Sequence, residues 1–175
     1  IVTCTECDFS SSTARAWGDF QYVLPAGEHI HASRAIGWCF TCRDLEPIEE
    51  LPDVTVVAKE LEGLEQQKNA IVPRGWLARL ITSRTFKVQD IHRRIRENML
   101  ILQFAQARHS PPRCMICGAT EHKLVKIPRP SKGDTLDTGL IHPGCGGHFL
   151  VSLSDIGFNA RFHPRLFDSE GNRLN

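Results

Sequence analysis

No stretch of this 175-residue chain approaches the roughly 18 to 20 uninterrupted apolar residues that a membrane-spanning helix needs, and the apolar run Met99–Leu102 is far too short. The sequence therefore predicts no membrane partner. Catalytic signatures are missing as well. No Gly-x-Ser-x-Gly elbow, phosphate loop, dinucleotide-binding glycine motif or His-Glu-x-x-His helix occurs in the chain. A strong charge of either sign is also lacking, because the formal net charge is only +1, so the chain as a whole is not built to coat a polyanion. Hydrophobic and charged fractions of 41% and 23% exclude a disordered composition and point to a folded globular protein.

The seven cysteines cannot all be paired as disulfides within one chain, since their number is odd. Six of them fall into the pairs Cys4/Cys7, Cys39/Cys42 and Cys114/Cys117, each with two residues between. Two thiolates at that spacing on a tight turn reach one ion, which is how metal sites look. Thiolates held reduced on a metal suit the cytoplasm. That expectation rests on the cysteines rather than on the start of the chain at Ile1.

The texture along the chain changes twice. Asp19–Leu24 and His29–Arg34 read as strands around the turn Pro25-Ala26-Gly27-Glu28, which gives a hairpin bracketed by the first two Cys pairs. From Arg43 to Lys68 eight carboxylates face three cations, and Asp53–Lys68 reads as helix despite Gly63. From Arg74 to Arg113 the balance reverses. Arg74, Arg79, Arg84, Lys87, Arg93, Arg94, Arg96, Arg108 and Arg113 stand against Asp90 and Glu97. Within this span Val88, Ile91, Ile95, Met99 and Leu102 recur at three- and four-residue spacings, which predicts one buried helical face ending near Arg108, ahead of Pro111 and Pro112. Short strands then return at His122–Ile127 and His148–Leu153, and Arg165–Phe167 with Asn172–Leu174 predict a closing hairpin around Asp168-Ser169-Glu170-Gly171.

Cys4-x2-Cys7 and Cys39-x2-Cys42 enclose the first hairpin and are expected to close one tetrahedral zinc site. His29 and His31, within that hairpin, read as strand residues rather than ligands. Cys114-x2-Cys117-Gly118 is matched by His142-x2-Cys145-Gly146, so a second, Cys3His site is expected from Cys114, Cys117, His142 and Cys145, with His148 or His122 as alternatives to His142. The trailing glycines allow the backbone to turn under the metal with positive φ. Gly37-Trp38-Cys39-Phe40-Thr41-Cys42 also resembles the Trp-Cys-x-x-Cys signature of thioredoxin-like oxidoreductases, but no βαβ pattern surrounds it and Pro47 follows closely. A nucleobase-deaminase reading of a three-cysteine site fails because no His-x-Glu precedes Cys114. A His/Asn nuclease built on His142, His148, Asn159 and His163 lacks the ordered pattern such a site needs.

The paired knuckles with intervening hairpins resemble the zinc-ribbon, rubredoxin-like arrangement over residues 1–42 and 113–155. The resemblance implies a metal-stapled β structure at each end. The expected fold is α+β, with a first ribbon over 1–42, a helical middle over 43–112, and a second ribbon with a C-terminal hairpin over 113–175. Two structural Zn2+ ions and no catalytic residue are expected. The functional reading is a non-enzymatic protein-binding or scaffolding chain, with Trp17, Trp38 and Trp76 as candidate interface or core aromatics. The alternative is nucleic-acid binding through Arg93, Arg94 and Arg96, weighed against the reading in which the basic helix packs on its acidic neighbour. The most distant alternative is a CxxC thiol oxidoreductase.

Overall fold

The structure is a computed structural model that describes residues 1–12, 16–71, 86–128, 130–153 and 163–174. Arg74, Trp76, Arg79, Arg84 and Asn159 lie outside the described residues. The architecture is α+β, as expected, with small sheets and, among the described residues, two helices. It divides into two units. One comprises 1–22, 31–50 and 110–175, and the other 23–30 and 51–109.

In the first unit, β1 (Val2–Cys4) is flanked by β2 (Ser10–Ser11) on one side and by β9 (His148–Ser152) on the other, and β8 (Thr135–Ile141) completes a sheet of order β2-β1-β9-β8. Its alternation is that of a half-buried sheet: Val2, Phe149 and Val151 point into the core while Thr3 and His148 face solvent. The β8–β9 register slips between Asp137 and Ile141, where Gly139 adopts φ +71°. Asp137 Oδ1 accepts the Gly139 amide at 2.8 Å and Thr138 Oγ1 donates to the Phe149 carbonyl at 3.0 Å, so side chains serve the backbone at the bulge.

A second sheet has the order β6-β5-β7, formed by β5 (Arg34–Cys39), β6 (Asp44–Glu49) and β7 (His122–Leu124). The β5–β6 hairpin turns at Cys39–Arg43, and Pro47 sits inside β6, paired with Ile36. The proline costs no ladder bond to β5. Its carbonyl accepts the Met115 amide at 2.8 Å, and in an antiparallel strand the N and C=O of one residue face the same side. The edge position that Pro47 occupies is therefore what lets it continue the strand. Glu49, two residues on, is a buried carboxylate that accepts the Tyr22 hydroxyl at 2.8 Å and the Arg113 amide at 2.9 Å, tying β6 to the segment that delivers Cys114.

The third sheet, of order β10-β3-β4, contains β3 (Phe20–Val23), β4 (His29–His31) and β10 (Arg165–Phe167), with β10 parallel to β3. Gly27 turns at φ +88° between β3 and β4, and Gly171 at φ +75° in the closing turn, where Phe167 bridges Arg173.

One core joins the first two sheets. Val2, Leu140, Phe149 and Val151 from the β1/β8/β9 side pack with Trp38, Leu45 and Val125 from the β5/β6/β7 side. Trp38 is thus a core residue, whereas Trp17 is 65% exposed.

In the second unit, α1 (Val54–Ile71) packs with α2 (Phe86–Ala107). Asp53 caps α1, its carboxylate accepting the Thr55 and Val56 amides at 2.8 and 3.3 Å. The inward positions Val57, Leu61, Leu64, Lys68 and Ile71 on α1, and Val88, Ile91, Ile95, Asn98 and Leu102 on α2, alternate by three and four residues, the seam of a paired helix. Asn98, not Met99, occupies the fourth seam position, and Met99 is 47% exposed. Both positions suit an apolar stripe by spacing, and the helix rotation that buries Ile91 and Phe104 selects Asn98.

Candidate metal centres

Among the described residues, two sets of four side chains able to hold a metal ion converge in the first unit: Cys4, Cys7, His142 and Cys145, and Cys39, Cys42, Cys114 and Cys117. All eight are residues singled out above, but the partnership differs from the expected one. Cys4/Cys7 close with His142/Cys145 rather than with Cys39/Cys42, and Cys114/Cys117 close with Cys39/Cys42 rather than with His142/Cys145. The physical reason is strand pairing. β1 runs beside β9, putting the first knuckle against the last, while Ile48 bridges Cys114 and β5 pairs with β7, putting the two middle knuckles together. The centres are consequently nested, an inner one within an outer one.

At the outer centre, Cys145 Sγ lies 3.3 Å from Cys4 Sγ and 3.5 Å from Cys7 Sγ, and His142 Nδ1 lies 3.1 and 3.4 Å from the sulfurs of Cys145 and Cys7. At the inner centre, Cys39 and Cys117 sulfurs are 3.5 Å apart and those of Cys42 and Cys114 4.0 Å. A tetrahedral ion with metal–sulfur bonds of about 2.3 Å needs ligand atoms about 3.8 Å apart, a little less where nitrogen replaces sulfur. Both sets fit such an ion, and in each the four ligand atoms lie within 4.8 Å of one another.

The knuckles are built by backbone hydrogen bonds. Amides of Arg43, Gly118 and Gly146 donate to the carbonyls of Cys39, Cys114 and His142 at 2.8, 2.8 and 2.9 Å. The residue after the last ligand adopts positive φ in all three, +77° at Gly118 and +80° at Gly146 as the trailing glycines implied, and +54° at Arg43. The Cys42 amide also points at Cys39 Sγ, 3.4 Å away.

Crowding of three thiols at the outer centre and four at the inner shows in their proton affinities. At the outer centre burial raises Cys4, but the Glu6 amide and the neighbouring Cys145, His142 and Cys7 outweigh it and bring the thiol down to about 6. Cys145 receives the Gly147 amide, yet desolvation and the adjacent Cys4 and Cys7 push it up to about 11. At the inner centre burial drives Cys114 up to about 12 and Cys42 higher still. Cys117 is lowered: burial opposes this, but the Ala119 amide and the surrounding cysteines prevail. One thiolate in each cluster ionises at its neighbours' expense, and a divalent cation relieves that conflict.

His142 is buried in an aromatic box, its ring 5.0 Å from Phe9, 4.9 Å from Trp38 and 4.9 Å from Phe149. This box escaped the sequence reading, since Phe9, Trp38 and Phe149 are scattered along the chain. Gly147 was missed as well. A Cβ there would lie 2.7 Å from Cys4 Sγ, so only glycine leaves room for the sulfur. The consecutive Gly146-Gly147 pair was the available signal.

The other candidates fall elsewhere. His148 turns away from the outer centre and pairs with Asp137 at 2.9 Å, and its amide bonds Thr5 Oγ1. The Gly139 amide and His148 together lower the Asp137 carboxyl below the usual range. His122 lies in β7, and His29 and His31 lie in β4; none belongs to either set. Arg93 bonds Asp90 and Glu97 on its own helix at 2.6 and 2.9 Å, and Arg94 bonds Glu60 of α1 at 2.9 Å, the pairing expected when basic and acidic helices pack. Arg96 is exposed. Among the described residues no helix is long and apolar enough to cross a membrane. No protein-family model, curated protein or solved structure matches the chain.

Proposed function

We propose that the chain is a zinc-stapled, non-enzymatic protein that holds two ribbons rigid for docking to another protein. The reading is carried by the filling of all four positions of each tetrahedron by protein side chains, whereas a catalytic zinc keeps one position for water or substrate. Three or four soft thiolates with at most one imidazole favour zinc over harder ions that prefer oxygen. Bound at these residues, zinc contributes folding energy rather than chemistry.

The rivals lose ground on particular contacts. Cys39 and Cys42 stand on a hairpin turn that leads into β6, not ahead of a helix that would activate a redox thiol. Two of the three arginines proposed for nucleic acid, Arg93 and Arg94, are engaged by carboxylates of their own helix pair. Exposed Trp17, Phe86 and Val56 supply the apolar contact points that a protein partner uses.

The test is elemental analysis of the purified chain together with thiol titration. Two zinc ions per chain and seven thiols that react only after denaturation are expected. A metal-free chain with a reversible Cys39–Cys42 disulfide would overturn the proposal in favour of the oxidoreductase. Salt-sensitive oligonucleotide binding that disappears on Arg93→Ala, Arg94→Ala and Arg96→Ala substitution would replace the docking role with the nucleic-acid one.

A further inference from the structure

We infer that the two centres load in order and cooperatively, the inner one first and the outer one on the platform it creates, which makes the outer centre the exchangeable one. The inference rests on the zinc reading above and concerns how those same residues share their ions.

The nesting supplies the first argument. Cys7 and His142 are 135 positions apart along the chain, and 72 of those positions lie between Cys42 and Cys114. Once the inner centre is closed, fewer than half of the original separation remains to be closed by the outer one. Loop-closure entropy alone then favours the outer site by about threefold over its closure on an otherwise open chain.

The aromatic box supplies the second. Trp38 immediately precedes the inner ligand Cys39 at the end of β5, and its indole, only 4% exposed, packs edge-on against the imidazole of the outer ligand His142 at 4.9 Å. Phe9 and Phe149 sit 5.5 Å from the same indole. Closing the inner centre fixes the end of β5, which fixes the wall that presents His142 Nδ1 to the outer centre. Positioning by packing adds to the loop effect, and by thermodynamic reciprocity an ion at either centre strengthens the other by the same factor.

The order follows from exposure and donor set. Cys39 and Cys114 are 0% and 1% exposed and Cys117 is the exposed member of the inner four, whereas two of the three outer cysteines, Cys7 and Cys145, are exposed to solvent. The inner centre holds its ion with four thiolates, the outer with three and an imidazole. A chelator meets two exposed sulfurs at the outer centre but one, Cys117, at the inner, where buried Cys39 and Cys114 keep their hold, so the outer ion leaves first and the inner ribbon stays closed. Departure of the inner ion removes the platform of both.

The decisive experiment treats the zinc-loaded full chain with limiting EDTA, adds an alkylating reagent, and maps the modified cysteines by mass spectrometry. Cys4, Cys7 and Cys145 are expected to be modified first, with Cys39, Cys42, Cys114 and Cys117 protected in the same molecules. Molecules modified at the inner four but protected at the outer three, or one common rate for all seven, would overturn the order. Coupling is read from Co2+ titration of the metal-free chain, in which thiolate-to-cobalt absorption distinguishes four sulfurs from three. Trp38→Leu, which alters no ligand, and Cys117→Ser are each expected to weaken Co2+ at the outer centre at least threefold. Unchanged outer affinity in both would overturn the coupling. A wild-type chain that binds fewer than two ions would instead defeat the zinc reading itself.

Discussion

A single hydrogen atom decides part of the outer centre. The Cβ that alanine would add at position 147 falls 2.7 Å from Cys4 Sγ and 2.8 Å from Glu6 Cβ, so Gly147→Ala must displace the sulfur or the turn that carries it. Disturbing a group just behind a ligand lowers metal affinity by about 10- to 100-fold. Gly147→Ala is expected to do so at the outer centre while the inner stays loaded, read by competition with a chromogenic chelator; equal loss at both centres, or none, would contradict the geometry. The aromatic box calls for a different outcome. Trp38→Ala empties a site walled by Phe9, Phe149 and His142, and the cost of about 3–5 kcal/mol usual for a buried large aromatic should appear in urea unfolding of the zinc-loaded chain. The ligands themselves were legible residue by residue, because two cysteines three apart on a turn are a local statement about one ion. Their partnership was not. It depends on which strands pair across 72 to 141 positions, and a C-x2-C spacing carries no information about that. Nor did spacing separate His142 from His148, three residues to either side of Cys145. The box and the Asp137 carboxylate decide between them.

At the scale of elements, turns and helices read well from sequence where the cause was local: the Gly27 turn, the start of α1 near Asp53, the end of α2 ahead of its prolines. β6 read badly, because acidic composition and Pro47 suggested anything but a strand, and only the flanking Met115 and Arg113 contacts explain how buried Glu49 and Pro47 are tolerated there. β8 is not among the strands read from the sequence, and it owes its pairing to β9. Two glycines inside elements then make opposite predictions. At Gly37, in β5, a Cβ would meet Ile48 Cγ1 at 2.6 Å and the Lys123 carbonyl at 3.0 Å, pressing on the inner core and on the β5–β7 pairing. Gly37→Ala should therefore destabilise by about 1–3 kcal/mol, as overpacking does. At Gly63, inside α1, nothing lies within 4 Å of an added Cβ, and Gly63→Ala should stabilise by about 0.5–1 kcal/mol through the entropy of the unfolded chain. Thermal or urea unfolding of the two variants checks the signs, and like signs would mean that one of the two environments is misdescribed.

For the whole molecule, the nested closure makes the two candidate metal centres part of the topology. The outer ligands join the β1 knuckle, near the start of the chain, to the knuckle before β9, and the inner ligands join the two knuckles between which both helices lie in sequence. Stability should accordingly follow proton competition for the thiolates. Without metal, the shifts work in opposite directions. Cys4, held at about 6 against an ordinary 9.0, adds stability that is complete above the ordinary value and is lost as pH falls towards 6. Cys145 and Cys114, raised to about 11 and 12, add stability that is complete below the ordinary value and is lost as pH climbs through those raised values. Metal binding demands that all of them be thiolates, so near neutral pH the ions displace protons chiefly from the raised thiols, and metal-linked stability must grow with pH. Zinc added to the metal-free chain at about pH 7.5 should release protons, measurable as a buffer-dependent heat. The difference in melting temperature between zinc-loaded and chelated protein should shrink as pH is lowered from about 7.5 towards 5, below the value of about 6 at which Cys4 takes up its proton. A difference that stays constant over that range would mean that the ions are not held by these thiolates.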